Sequence, residues 1–139
     1  MKNNVITSWK GKMKFDSIVS GHHIVLDAST QNGGENAGPR PKELMLTALA
    51  GCTGMDVVSI LEKMRVEVEG FEVIVEAQMT DEHPKHYTAF HIVYQFAGAN
   101  LPIEKLQKAI DLSQERYCGV SYMYKQFATI THEIKIINA

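Results

Sequence analysis

Pro41-Lys42-Glu43-Leu44-Met45-Leu46-Thr47-Ala48-Leu49-Ala50-Gly51-Cys52-Thr53-Gly54-Met55-Asp56-Val57-Val58-Ser59-Ile60-Leu61-Glu62-Lys63-Met64 is the stretch whose reading decides the fold. Proline suits the first turn of a helix, where its missing N–H would have no partner anyway, so the spacing predicts one long helix from Pro41 to Met64. The apolar residues between Leu44 and Leu61 leave no clean polar face, and such a helix must be enclosed on most sides. Its longest charge-free run, Leu44 to Met55, falls short of the roughly 18 residues that suggest a membrane span. It reads as a buried core helix.

Upstream, Ile6, Trp9, Phe15, Ile18, Ile24, Val25 and Leu26 are spaced between polar positions and a turn falls at Ser20-Gly21, which predicts a small antiparallel meander. Ser29 to Pro39 holds almost nothing apolar and many turn formers, so it is a loop, and such a loop can cover a site. Downstream, Phe71–Gln78 and Tyr87–Phe96 alternate at period two and form a hairpin around Thr80–His86. Pro102 opens an amphipathic helix with Ile103, Leu106, Ile110 and Ser113 on one face, and a strand over about Phe127 to Ile137 closes the chain. This order is α+β and not the regular alternation of a doubly wound sheet. About six short strands cover so apolar a helix poorly, which predicts that two subunits bury each other's helices.

The 139 residues and 45% hydrophobic content predict a single domain over 1–139. With 14 basic and 16 acidic side chains, the net charge of -2 gives no field that attracts nucleic acid or an anionic membrane. Met1 to Thr7 lacks the pattern of a secretory signal, so a cytoplasmic protein is expected. His22 and His23, adjacent in a strand, point to opposite faces, and Asp81, Glu82, His83 and His86 share a loop without fixed partners. Asn32-Gly33-Gly34 does not follow the phosphate-loop pattern. No cofactor and no metal site is expected.

Two cysteines are too few to staple a scaffold, and no paired C-x-x-C spacing marks a zinc site. Cys52 sits in Ala50-Gly51-Cys52-Thr53-Gly54. Each glycine inside a helix costs about 1 kcal/mol relative to alanine, so the pair serves either access to the sulfur or tight helix packing. Cys118 is separated from Cys52 by 65 residues, and only the fold could bring the two Cα atoms to the roughly 4.4–6.8 Å of a disulfide. Inert buried thiols and a functional redox pair both remain open.

Gly38-Pro39-Arg40-Pro41-Lys42-Glu43-Leu44 leading to Ala50-Gly51-Cys52, followed by Tyr117-Cys118-Gly119-Val120-Ser121, resembles the two cysteine motifs of the OsmC (osmotically inducible protein C) and organic hydroperoxide resistance family. The similarity covers nearly the whole chain. It implies an OsmC-like α+β fold, with antiparallel sheets wrapped around long central apolar helices in an intertwined homodimer. It also implies a thiol-dependent peroxidase. Cys52 would attack a small organic hydroperoxide, Cys118 would resolve the product as a disulfide, and a thiol reductant would reopen it. Leu44, Leu49, Met55 and Tyr117 are expected as pocket walls.

That chemistry needs a thiolate, whereas a free thiol has a pKa of about 8.5, and Cys52 lies too far into its helix for the dipole to help. The family's active branches resemble a network of an arginine from the amino-terminal strands and a glutamate directly after the helix-opening proline. Here the first 39 residues hold no arginine, and Lys42 follows Pro41, with Glu43 about 100° further round the helix. Arg40 and Arg116 are the substitute cations, Lys42 is a third, and Glu43 is the residue to orient whichever is used. The alternative is a non-catalytic OsmC-like dimer that binds a ligand or senses redox state.

Overall fold

The computed structural model describes residues 1–137 and divides into two compact units, Met1–Met45 and the chain from Leu46 onward. In the first unit β1 (Ile6–Trp9), β2 (Phe15–Val19) and β3 (His22–Leu26) form the expected antiparallel meander. Ser20 and Gly21 link β2 to β3 with φ of 49° and 80°, the two-residue hairpin that requires left-handed backbone at both positions.

The loop after β3 is pinned to its own strand. Asp27 is buried, and its carboxylate accepts the backbone N–H groups of Ala28, Glu35 and Ala37 at 2.7, 3.1 and 3.1 Å. Glycine is required where the loop folds back, because a Cβ at Gly34 or Gly38 would strike the carbonyl of Ala28 or Val25. The Ala37 N–H, foremost among these donors, holds the Asp27 carboxyl below the usual carboxylate range against the opposing effect of burial. A depressed folded pKa gives stability that is present above the unfolded value, about 3.9, and lost as pH falls through the folded one. Below about pH 4 the unfolding midpoint of the wild type is therefore expected to fall with acidification, and Asp27→Asn to remove that part of the dependence, as chemical denaturation across a pH series would read.

The long helix, α1 (Glu43–Lys63), starts two residues later than expected, because Arg40 to Lys42 form a turn whose carbonyls accept from Glu43, Leu44 and Met45. In the second unit β4 (Gly70–Met79) and β5 (Tyr87–Ala97) make the expected hairpin. After them come α2 (Ile103–Leu112), a π-helical turn over Ser113–Tyr117, α3 (Gly119–Tyr124) and β6 (Thr129–Ile137). β6 pairs with β5 in parallel, so this sheet is mixed, not antiparallel throughout. The reason is the connection: α2, the π turn and α3 form a crossover that returns the chain to the end of the sheet where β5 began.

β5 is the middle strand of the order β4-β5-β6, and Phe90, Ile92, Tyr94 and Phe96 alternate onto its buried face. Their neighbours across the ladder, Ala77, Val75, Val73 and Phe71 on β4, share that face by register. Leu106, Ala109 and Ile110 are the buried side of α2, followed by buried Ser113 at the start of the π turn, whereas Ile103, expected among them, is half exposed. In α1 the buried positions are Leu49, Thr53, Val57 and Leu61, a single i,i+4 stripe. Met55 and Val58 are 76% and 51% exposed, so the chain by itself leaves part of this apolar helix uncovered. With a mean hydropathy of 1.8 over 18 residues, α1 is long and apolar enough to cross a bilayer by length and composition, yet 22% of that window is buried in the protein.

Candidate functional site

Cys52 sits half-buried in the middle of α1, and four residues on, one helical turn away on the same face, stands Asp56. Cys118 is buried at the start of α3, and its position depends on the π turn. The Cys118 N–H donates at 2.7 Å to the Ser113 carbonyl five residues back, so the chain gains one residue before α3 begins. Lys125 Nζ donates to the Gln114 carbonyl of that turn at 2.8 Å. The Tyr124 ring stacks on Phe90 with centroids 5.0 Å apart, which ties α3 to β5.

These elements bring the two sulfurs and an Asp56 carboxylate oxygen within 4.8 Å of one another, with both cysteines free. The Cys118 sulfur accepts from the Ser121 hydroxyl at 3.2 Å and the Ser121 backbone N–H at 3.3 Å. Burial pushes the Cys118 thiol above the usual thiol range; the Ser121 donors oppose this, and the hydrogen-bonded Cys52 thiol adds to it.

Behind the thiols lies a buried polar chain. Ser113 Oγ donates to Asp56 Oδ2 at 2.9 Å, Thr53 Oγ1 lies 2.8 Å from Ser113 Oγ and 2.7 Å from Tyr94 Oη, and Gln114 Nε2 donates to both Thr53 and Tyr94 at 3.2 and 3.0 Å. One proton per hydroxyl fixes the direction: Ser113 gives its proton to Asp56 and accepts from Thr53, which accepts from Tyr94. Burial pushes the Tyr94 phenol up to about 12, with its hydrogen bonds to Thr53 and Gln114 acting against the shift. Thr53→Val keeps the volume but leaves the Tyr94 hydroxyl without its acceptor and Gln114 with one acceptor of its two, and a loss of about 1–3 kcal/mol in unfolding free energy is expected from urea denaturation.

Of the residues the sequence singled out, the structure brings Cys52 and Cys118 together. Arg116 is exposed, with its guanidinium 5.4 Å over the Tyr117 ring. In the first unit, Arg40 donates from Nη1 to the Gly38 carbonyl and from its backbone N–H to Glu43 Oε1, both at 2.9 Å, so Glu43 caps the start of α1. Lys42 is exposed. Leu49 is fully buried and belongs to the core, not to a pocket wall, while Met55 does line an apolar cleft of about 390 Å³ with Gly51, Gly54, Val58, Phe71 and Val73. A Cβ at Gly51 would meet nothing within 4 Å and one at Gly54 only Val73, so these glycines border an open cleft and do not serve tight packing within the chain.

Asp56, Ser113, Ser121 and the Thr53–Tyr94–Gln114 group were not anticipated. Asp56 had a signal: it is the one charged residue between Glu43 and Glu62.

The family model for OsmC-like protein matches residues 33–133, a span that includes both cysteines. Protein YhfA of Escherichia coli (strain K12) is 37% identical over 120 residues, covering 86% of this chain and 87% of that one. A hypothetical protein from Aquifex aeolicus VF5 matches with a TM-score of 0.87 at 28% identity, over 100% of this chain and 98% of that one. The organic hydroperoxide resistance protein OhrB of Bacillus subtilis has the same fold, with a TM-score of 0.69 at 15% identity over 97% and 98% of the two chains. With most of its length matched by the family model and by a relative of this identity, the chain belongs to the OsmC-like protein family.

Proposed function

We propose that this protein is a thiol-dependent peroxidase that reduces small organic hydroperoxides in oxidative stress defence. The observation that carries the proposal is the approach of the Cys52 and Cys118 sulfurs to within 4.8 Å, close enough for a disulfide after a small side-chain rotation. Cys52, the more exposed of the two, is the nucleophile. Its thiolate attacks the outer peroxide oxygen, the O–O bond breaks, and the alkoxide leaves with a proton as the alcohol. Cys118 then attacks the Cys52 sulfenic acid, the S–S bond forms and water leaves. An external thiol reductant supplies the two electrons that restore both thiols.

Arg116 is the group assigned to favouring the Cys52 thiolate. The open apolar face of α1 supports two further parts of the proposal: the Met55 cleft receives the organic part of the substrate, and a second copy of the chain covers the remainder in a homodimer. The first unit by itself also exposes apolar side chains, Ile6, Trp9 and Ile18, of the kind that a partner copy would bury. Thiols that must be reduced between turnovers suit a cytoplasmic setting.

The test is chemical trapping. Treated with cumene hydroperoxide, the reduced protein is expected to lose both thiols and about 2 Da, while Cys118→Ser stops at a sulfenic acid that dimedone captures on Cys52. Thiols that persist in excess peroxide would reject the proposal. The alternative, a non-catalytic OsmC-like dimer that binds a ligand or senses redox state, is favoured by one observation: the charged side chain beside the sulfurs is the Asp56 carboxylate, which opposes a thiolate.

A further inference from the structure

A carboxylate beside two thiols is a poor setting for a lone thiolate but a good one for a cation. We infer that Cys52, Asp56 and Cys118 form a three-ligand site for a thiophilic divalent metal ion, with Zn²⁺ the best match. One sulfur or oxygen from each residue lies within 4.8 Å of the other two. Zn²⁺ bonds of about 2.3 Å to sulfur and 2.0–2.2 Å to oxygen put tetrahedral ligand atoms roughly 3.5–3.8 Å apart, so a modest closure of the triangle completes the site. Two thiolates select against Mg²⁺ and Ca²⁺, which take oxygen ligands.

The ligands are held from behind. Ser113 Oγ donates to Asp56 at 2.9 Å, and Ser121 donates twice to Cys118. Such supporting bonds orient metal ligands and raise affinity. Cys52 and Asp56 are one turn apart on α1, and the π turn brings the third ligand from 62 residues beyond Asp56, which hides the set from any local motif. Cys52 is half-buried, which leaves the fourth position toward solvent for water or an external thiol. Binding replaces two thiol protons by one metal ion and releases both. The site shares its sulfurs with the proposed peroxidase but does not depend on that reaction, and a disulfide would abolish it.

The full-length, tag-free, reduced protein titrated with Co²⁺ is expected to develop a thiolate-to-cobalt charge-transfer band that saturates at one ion per chain and is displaced by Zn²⁺ but not by Mg²⁺. Cys52→Ser and Cys118→Ser are expected to lose the band. Asp56→Asn, which can still accept from Ser113, and Ser113→Ala are each expected to weaken Zn²⁺ binding by about tenfold or more in competition with a chromogenic chelator, with far-ultraviolet circular dichroism checking that both fold. Absence of the band in the reduced wild type, equal affinity in Asp56→Asn, or equal binding by the disulfide form would each overturn the inference. Binding that survives both cysteine variants would place the metal on surface histidines and overturn it too. Peroxide consumption by the chelator-stripped samples reports separately: thiol oxidation without metal binding rejects the metal site alone, and metal binding without thiol oxidation rejects the peroxidase alone.

Discussion

Replacing Cys52 by serine is expected to lower cumene hydroperoxide turnover to the rate of protein-free buffer, a loss of about a thousandfold or more, as expected for a nucleophile that carries the covalent step. Serine is nearly the size of cysteine, and the neighbouring buried chain from Tyr94 to Asp56 passes through Thr53 and Ser113 without using the Cys52 sulfur, so the variant is expected to fold normally. Cys118→Ser separates the roles. It keeps one turnover in the absence of reductant and loses the intramolecular disulfide, because Cys118 acts only after the O–O bond has broken. Turnover that survives in Cys52→Ser would mean the peroxide is consumed elsewhere in the chain.

The second large effect concerns assembly. Met55 is 76% exposed in the chain and sits beside Val58 on α1, where the rim of the substrate cleft meets the face that a second copy is proposed to cover, so Met55→Glu places a carboxylate against that contact. An unpaired charge buried in an apolar contact costs about 3–5 kcal/mol, which raises the dimer dissociation constant by roughly 10²–10³-fold or more. The folded chain itself is expected to be unaffected, since the side chain has so few neighbours within it. Sedimentation of the two proteins over a concentration series checks this: a wild-type dimer with a Met55→Glu monomer is the expected pair, and a wild-type monomer would mean that something else covers the face.

How much of this was legible in the sequence follows from the range of each interaction. The strand alternation at Phe71–Gln78 and Tyr87–Phe96 and the proline before α1 are local signals, and they gave the hairpin and the long helix nearly to the residue. Parallel pairing of β6 with β5 was hidden, because the direction of return depends on how α2, the π turn and α3 pack, and periodicity carries no such information. Leu49 was misplaced for a related reason: on a helix apolar all round, the sequence does not say which stripe the sheet covers. The two cysteines were visible through their motifs, but the hydrogen-bonded pairs among Thr53, Tyr94, Ser113 and Gln114 are 20 to 61 residues apart and look like ordinary polar positions. Asp56 could have been found as a lone charge on an apolar helix, although its meaning depends on a sulfur 62 residues away.

The most direct test is a non-reducing peptide map of the wild type after one equivalent of cumene hydroperoxide, with intact masses recorded beside it. A Cys52–Cys118 cross-linked peptide from a protein that remains a single-chain mass is the expected result. Both cysteines recovered as free thiols, or cross-links found only between chains, would contradict the pairing on which the chemistry rests.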